Sequence, residues 1–299
     1  MSYKSSRGYW VFLIPGIVAF LVIIVIPMLA NIGISFTKWR GVGDPTWIGL
    51  ANYETALDDK TFWASFQNNF RLIFAMTIIP TCLGLVLAVF LFEHTARRFG
   101  QRTASFFRAG FYLPQIIPLV VAAIVWRWIY QPKWGVLNWL LTTIGLESQT
   151  RNWLGDADTA LYSIMGMLVW IQIGYPLVIF MAALQRIDPE LHEAASLDGA
   201  SPFQRLWHIT VPLIRPELFV VVLTTSIHAL KVFAPVYAMT SGGPGRSTIV
   251  ASYFSYRNFF ERANVGYGAT VATVLTAIIV ALTIVFITIQ TRQEQSEGA

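Results

Sequence analysis

The sequence predicts an all-helical (all-α) polytopic membrane protein with six transmembrane helices, and two observations carry this prediction. Hydrophobic residues make up 55% of the 299 residues and charged residues only 12%, about half the charged share of a soluble globular chain. The apolar residues are also gathered into runs of about 20, the length that a helix needs to cross a bilayer. A soluble enzyme is therefore excluded. The net charge of +5 is scattered over loops and favours anionic lipid headgroups over nucleic acid as a partner.

The six runs are defined by the near absence of Asp, Glu, Lys and Arg. In chain order they are 11–30, 72–92, 109–126, 159–185, 218–240 and 263–290. The fifth run contains one charge, Lys231, and the others contain none. The first run is too long for a signal peptide and no small-residue cleavage site follows it, so we expect a retained helix. Prolines recur within the runs and predict kinks, which neighbouring helices or water make tolerable.

An even number of spans places both termini on the same side of the membrane. Lys4 and Arg7 precede the first run without an acidic residue, and four arginines lie between the second and third runs. Because basic residues near the first spans stay on the cytoplasmic side, these charges favour cytoplasmic termini. Over the whole chain, basic residues are divided evenly between the two sides, so charge alone gives only a preference.

The segment between the fourth and fifth runs has the features of two short helices. Asp188 is suited to cap the first helix, with Pro189 at the first helical position. Gly199 falls where a left-handed residue ends a helix. Ser201 and Pro202 then repeat the cap and the proline. From these residues alone two interpretations stay open: a helix-turn-helix that projects from the membrane, or an amphipathic pair that lies on the headgroups.

A residue string in this segment resembles the EAA motif of permease subunits of bacterial ATP-binding-cassette (ABC) importers. The matching residues are Glu193-Ala194-Ala195, Asp198-Gly199-Ala200 and, after eight further residues, Ile209-x-Val211-Pro212. Val211 stands where leucine is usual. The resemblance to sugar-type importers covers nearly the whole chain and includes Gly49–Tyr53, Leu113-Pro114 and Thr240–Pro244. Of the two permease types in these importers, the chain is similar to the maltose and glycerol-3-phosphate permease subunit.

The resemblance implies a permease subunit of a binding-protein-dependent importer for a sugar or related polyol, which is a transport subunit and not an enzyme. Residues 1–299 are then one transmembrane domain in the bacterial inner membrane, with cytoplasmic termini and a cytoplasmic coupling loop at residues 186–217. Within that loop, the residues implied to couple to the ATPase are Glu193, Ala194, Ala195, Asp198, Gly199 and Ala200.

The partners implied by the resemblance are a second, different permease subunit, two ATP-binding subunits and an extracytoplasmic solute-binding protein. ATP and magnesium belong to the ATP-binding subunits, and no cofactor or metal is expected in this chain. The glycine-rich turn at residues 242–248 lacks the Gly-Lys pair of a phosphate-binding loop. His192 and His208 are expected to be surface or packing residues and not metal ligands.

A sugar pathway needs hydroxyl-binding groups and aromatic faces in a largely apolar lining. Candidates on the fourth and fifth runs are Gln172, Tyr175, Thr225, His228 and Lys231. The last three are spaced by three residues and predict one helix face. The resemblance to the maltose-type subunit points to Tyr175, Thr225 and His228. Several roles stay open for Lys231: neutralising an anionic solute, donating to a hydroxyl, facing a hydrated cavity or pairing with the second permease.

A secondary transporter or channel for a small polar solute is the alternative class. A carrier driven by protons or sodium is expected to place acidic residues within its spans. None of the six runs contains Asp or Glu, which favours the ABC importer.

Overall fold

The computed structural model describes residues 10–297, with side chains for 12–95 and 98–292. The basic residues Lys4 and Arg7 lie outside this range. The helices are α1, residues 10–35; α2, Ala51–Asp58; α3, Lys60–Thr95; α4, Gln101–Ile116; α5, Leu119–Ile129; α6, Val136–Thr143; α7, Ala157–Leu184; α8, Pro189–Leu197; α9, Pro202–Leu213; α10, Arg215–Leu230; α11, Ala234–Met239; α12, Ala251–Tyr256; and α13, Val265–Glu297.

Short elements complete the described chain. Strands β1, Thr37–Lys38, and β2, Thr46–Trp47, pair antiparallel, with Thr37 opposite Trp47. A helical turn, Ala96–Phe99, continues α3, and a 3₁₀ turn, Glu147–Gln149, follows α6. Turns of π-helix are Leu21–Val25 in α1, Phe74–Ile78 and Phe90–Thr95 in α3, Leu206–Thr210 in α9 and Arg257–Glu261 after α12. The protein is therefore mostly helical, as predicted.

Within the described residues, four helices are long and apolar enough to cross a bilayer: α1, α3, α7 and the part of α13 up to Arg292. Two bent pairs meet the same test when each is taken together. The axes of α4 and α5 differ by 96°, and those of α9 and α10 by 76°. The structure thus has between four and six candidate spans.

The third run, 109–126, is two helices where the sequence predicts one. Pro118 caps α5, and Ile117 before it is extended, with φ −70° and ψ 128°. A residue before proline is pushed out of the helical region because the proline ring clashes with its backbone. The prolines in this run therefore produce a sharp bend and not a mild kink.

The fifth run, 218–240, also departs from the prediction of a continuous helix. Helix α10 ends at Leu230, Lys231 has φ −92° and ψ 5°, and the short helix α11 begins only at Ala234. The predicted helix from 218 to 240 is therefore wrong beyond Leu230. Lys231 lies at the end of α10 and not in its interior.

The described chain divides into two compact units, residues 10–63 with 254–277 and residues 64–253 with 278–297. In the first unit, Asn52 Nδ2 donates to the carbonyls of Ser35 and Thr37, each at 2.9 Å. These bonds fix the turn that joins α1 to β1.

The start of α13 packs directly on the same turn of the first unit. A Cβ on Gly266 would lie 1.9 Å from the Thr37 carbonyl oxygen, so only glycine fits there. Thr270 Oγ1 also donates to the Ser35 carbonyl at 3.1 Å. The 18-residue apolar window of α1, in contrast, has no buried residue.

The core of the second unit is formed by α3, α7, the start of α10 and the turn before it. Its buried apolar residues are Ala88, Leu91, Leu177, Phe180, Met181, Ala183, Leu184, Ile214 and Val221. Two glycines allow α7 to approach its neighbours closely. A Cβ on Gly84 of α3 would lie 2.7 Å from Pro176 Cβ, and one on Gly174 would lie 2.5 Å from the Phe111 carbonyl oxygen. Small residues at such crossings are how membrane helices gain close packing.

The crossing of α3 and α7 predicts a stability difference between two glycine variants. Gly84→Ala should lower the free energy of unfolding by about 1–3 kcal/mol, because overpacking outweighs the gain in helix propensity. Gly110→Ala is the matched control, since its Cβ would meet nothing within 4 Å. Denaturant unfolding in detergent measures both variants. Equal stabilities would contradict the close α3–α7 contact.

Candidate functional site

A polar cavity of about 350 Å³ lies in the second unit, next to the break after α10. This volume is within the usual range for small-molecule sites, roughly 300–1,000 Å³. Its lining comes from α3, α4, α5, α7 and the end of α10: Met76, Gln115, Ile117, Leu119, Leu168, Ile171, Gln172, His228, Lys231 and Val232. Four polar side chains therefore converge in an otherwise apolar lining, as a binding site for a polar solute requires.

Two amides of this lining have polar atoms without a hydrogen-bond partner. Gln172 is 3% exposed and its Nε2 has no partner among the described residues. Gln115 Oε1 is also shielded from solvent and without a partner in the described part of the chain. A buried polar atom left unpaired costs about 1–3 kcal/mol, so such atoms are rare in native proteins. Each amide thus has one polar atom, an acceptor on Gln115 and a donor on Gln172, that is shielded from solvent and unpaired within the described residues.

His228 and Lys231 form the exposed side of the cavity. Lys231 is the one charged residue of the lining. Among the described side chains, no carboxylate lies within ion-pair distance of its ammonium. The cavity therefore carries an uncompensated positive charge beside its amides.

The break that positions Lys231 is held by Asn69 of α3. The last carbonyls of a helix have no partner within the helix. The fully buried Asn69 supplies one, because its Nδ2 donates to the carbonyls of Ala229 and Leu230 at 3.2 and 3.1 Å. Its Oδ1 accepts from the Ala251 backbone N–H at 2.9 Å. One side chain thus joins α3, the end of α10 and the start of α12.

The structure brings three of the five predicted pathway residues together: Gln172, His228 and Lys231 line the same cavity. Thr225 lies elsewhere, fully buried, and its hydroxyl donates to the Val221 carbonyl of its own helix at 2.8 Å. Tyr175 packs against the apolar core of the second unit. Of the three residues expected to share one helix face, His228 and Lys231 line the cavity together, and Thr225 does not line it.

Two residues of the site were not predicted from the sequence. Gln115 lies within an uncharged run, where an amide is itself a signal of helix pairing or solute binding. Asn69 lies just before the second run. Its role depends on a carbonyl 160 residues away, which no local pattern signals.

The helical loop between α7 and α10 has the predicted caps. Asp188 Oδ1 accepts from the Glu190 N–H at 3.0 Å at the start of α8. Gly199 has φ +80°, the left-handed conformation expected after a helix end. At the start of α9, Ser201 and Gln204 form a reciprocal capping box. Both helices therefore begin at the residues that the sequence indicates.

Helix α8 carries no buried residue, and Glu193 and Ala194 are exposed. The other four residues of the motif, Ala195, Asp198, Gly199 and Ala200, line a surface cleft of about 450 Å³ together with Gln204, Arg205, His208 and Ile209. At the base of the loop, Arg186 forms an ion pair with Glu217. The loop is thus a capped, exposed helix pair that joins the ends of α7 and α10.

Metal binding finds no support in the described residues, where no three His, Cys, Asp or Glu side chains form a metal-binding group. A bundle of apolar helices, a polar cavity beside a broken helix and an exposed, capped helical loop together define a membrane transport protein of the permease class.

Comparison with known proteins identifies the family. Residues 81–297 match the family described as the binding-protein-dependent transport system inner membrane component, and the chain belongs to this family. It is 37% identical over 276 residues to the probable ABC transporter permease protein YurN of Bacillus subtilis, which covers 92% of this chain and 93% of YurN. It is 30% identical to the trehalose/maltose transport system permease protein MalF of Thermococcus litoralis, over 96% of this chain and 95% of MalF.

A solved structure shows the same fold. The chain superposes with a TM-score of 0.81 on a chain of a bacterial ABC transporter involved in the import of the acidic polysaccharide alginate. The identity is 23%, and 95% of each chain is covered. The protein is thus a membrane permease of a binding-protein-dependent importer, a transport component and not a catalytic subunit.

Removing the Asn69 amide tests whether its hydrogen bonds stabilise the break at the end of α10. Asn69→Leu should lower the free energy of unfolding by about 1–3 kcal/mol, because the Leu230 carbonyl and the Ala251 N–H lose their side-chain partner, while the Ala229 carbonyl keeps the Val232 N–H at 3.4 Å. Gln67→Leu removes an exposed amide from the same helix and is the matched control. Denaturant unfolding in detergent compares the two variants. If the Asn69 variant is as stable as the Gln67 variant, the amide does not hold the break.

Proposed function

We propose that this chain forms half of the translocation pathway of an ATP-driven importer for a sugar or related polyol. The observation that carries the proposal is α8: a capped helix with no buried residue, which carries the first three EAA-motif residues and is followed by the other three. An exposed helix with small residues suits docking into a groove of another protein. In this proposal the groove belongs to a separate ATP-binding subunit.

The geometry of the loop supports a mechanical role. Helices α8 and α9 are capped, and the Arg186–Glu217 ion pair joins the base of the loop. A displacement of α8 would therefore move the ends of α7 and α10 and would not simply deform the loop. The two helices that leave the loop are α7 and α10. They carry Gln172 and His228 into the cavity. Closure of the ATP-binding subunits would therefore move the cavity lining directly.

The lining of the cavity is evidence for a solute that carries hydroxyl groups. Sugar hydroxyls both donate and accept hydrogen bonds, and the amides of Gln115 and Gln172, which line the cavity, carry both kinds of group. The similarity to MalF, a trehalose/maltose permease by name, supports the same solute class. We assign Gln172, His228 and Lys231 to the pathway, and Tyr175 and Thr225 remain predictions.

The proposed topology has six spans within one transmembrane domain, residues 1–299, with the bent pair α4 and α5 serving together as one span and residues 218–240 as another. Both termini and the coupling loop, residues 186–217, face the cytoplasm, while residues 46–59 and 241–262 face outward. The support is the number of candidate spans, at most six, and the EAA resemblance.

The proposed partners complete the transporter. They are a second, different permease, two ATP-binding subunits that carry ATP and magnesium, and an extracytoplasmic solute-binding protein. The exposed side of the cavity at His228 and Lys231 leaves room for a second permease to close the pathway. The apolar window of α1, with no buried residue, offers it further contact.

Thiol labelling tests the topology. In a Cys82→Ser background, a membrane-impermeant maleimide applied to intact cells should label Asp58→Cys, which is exposed on the proposed outer side. It should not label His192→Cys on α8 until the membrane is permeabilised. Strong labelling of His192→Cys in intact cells would invert the proposed orientation.

A pair of glycine variants tests coupling. Gly199 and Gly145 both have φ +80° with nothing within 4 Å of an added Cβ, so valine introduces the same backbone strain at both sites, about 1–2 kcal/mol. At Gly199 that strain should reduce the population of the loop conformation that docks on the ATP-binding subunit about 5- to 30-fold. Transport and solute-stimulated ATP hydrolysis by the assembled complex should fall accordingly.

The control for this experiment is Gly145→Val, which lies outside the coupling loop and should leave both activities close to those of the unmodified complex. Complex yield is measured for each variant. Normal transport by Gly199→Val, or an equal loss in both variants, would contradict the coupling role of the loop.

A further inference from the structure

We propose that the solute carries a carboxylate and that the ammonium of Lys231 binds it, so that the importer takes up an acidic saccharide. The proposal rests on the sugar-importer function and deepens it by naming the solute class. Its basis is the positive charge of Lys231, which lines the cavity at the break after α10.

The Lys231 ammonium is not used to cap its own helix. Side chains of lysine often bond the last carbonyls of a helix, but here other groups already bond them. Asn69 bonds the carbonyls of Ala229 and Leu230, and the Lys231 backbone N–H bonds those of Ile227 and His228. The ammonium is therefore available to the cavity.

The ammonium also has no counter-charge within the described part of the chain. No described carboxylate lies within ion-pair distance of Lys231, and the six apolar runs contain no Asp or Glu. A cation at membrane depth is unfavourable unless water or an anion compensates it. A solute carboxylate supplies the missing charge during passage, whereas a neutral sugar does not.

The other polar groups of the cavity suit a solute that carries hydroxyl groups in addition to the acidic group. His228 lines the cavity together with Lys231 and adds a ring nitrogen to that exposed side. Gln115 and Gln172 line the same cavity, and their amides carry the acceptor and donor groups that hydroxyls need. One ammonium matches the single charge of a carboxylate better than a phosphate ester, which carries nearly two charges at neutral pH. The arrangement therefore fits a saccharide with one acidic group.

Uptake of matched solute pairs by the assembled importer in proteoliposomes, with its binding protein present, tests the proposal. The pairs are cellobiose with cellobiouronic acid, and xylobiose with glucuronosyl-xylose. We expect uptake of an acidic member in preference to its neutral partner. Lys231→Gln should reduce that uptake about tenfold or more, since it removes a charge-assisted hydrogen bond.

Two further variants make the test specific. Lys231→Arg keeps the charge and should retain uptake within about threefold, with some loss because the two cations differ in shape. Lys133→Gln makes the same substitution at an exposed lysine that does not line the cavity, and it should leave uptake unchanged. Complex yield should be the same for all variants.

Three results would overturn the inference while leaving the sugar-importer function intact. They are uptake of neutral members only, uptake of an acidic member that Lys231→Gln does not affect, and loss of complex assembly in Lys231→Gln, which would show that Lys231 pairs with the second permease. If no saccharide of either kind is taken up, the proposed sugar function fails, and this inference fails with it.

Discussion

The hydrogen bonds between Asn69 and the end of α10 are the interaction on which the site depends. Lipid cannot satisfy backbone carbonyls, so a helix that ends at membrane depth needs a protein partner there. Asn69 provides that partner for two carbonyls and also receives the Ala251 N–H. Because of these bonds, the chain leaves helical geometry at Lys231, and the lysine reaches the cavity instead of continuing a buried helix.

The same helices connect the cavity to the loop that we assign to coupling. Helix α7 passes from Gln172 at the cavity to the start of the loop, and α10 returns from the loop to His228. Close packing fixes α7 along this path, since Gly84 and Gly174 allow backbone contact with α3 and α4. Rigid helices between two sites are the physical means by which a displacement at one site reaches the other.

The parts of the fold that sequence predicts well are those set by local chemistry. Asp188, Gly199 and Ser201 act on backbone groups within a few residues, so their caps were visible in the sequence and are confirmed. The end of α10 is set by an amide 160 residues away, so the uncharged stretch after Lys231 misleadingly predicts a continuous helix. Thr225 does not line the cavity, because its position is buried and its hydroxyl bonds to its own helix, which residue spacing alone does not indicate.

The most direct test of this account is the environment of position 231. Lys231→Cys, in a Cys82→Ser background of the assembled complex, should react rapidly with a charged, water-soluble methanethiosulfonate reagent, because water and small solutes reach a residue that lines a solute pathway. Ile287→Cys on α13, an exposed position within the sixth uncharged run, should react only with a lipid-soluble maleimide. If position 231 behaves like position 287, the residue faces lipid, and the cavity at the end of α10 is not a solute pathway.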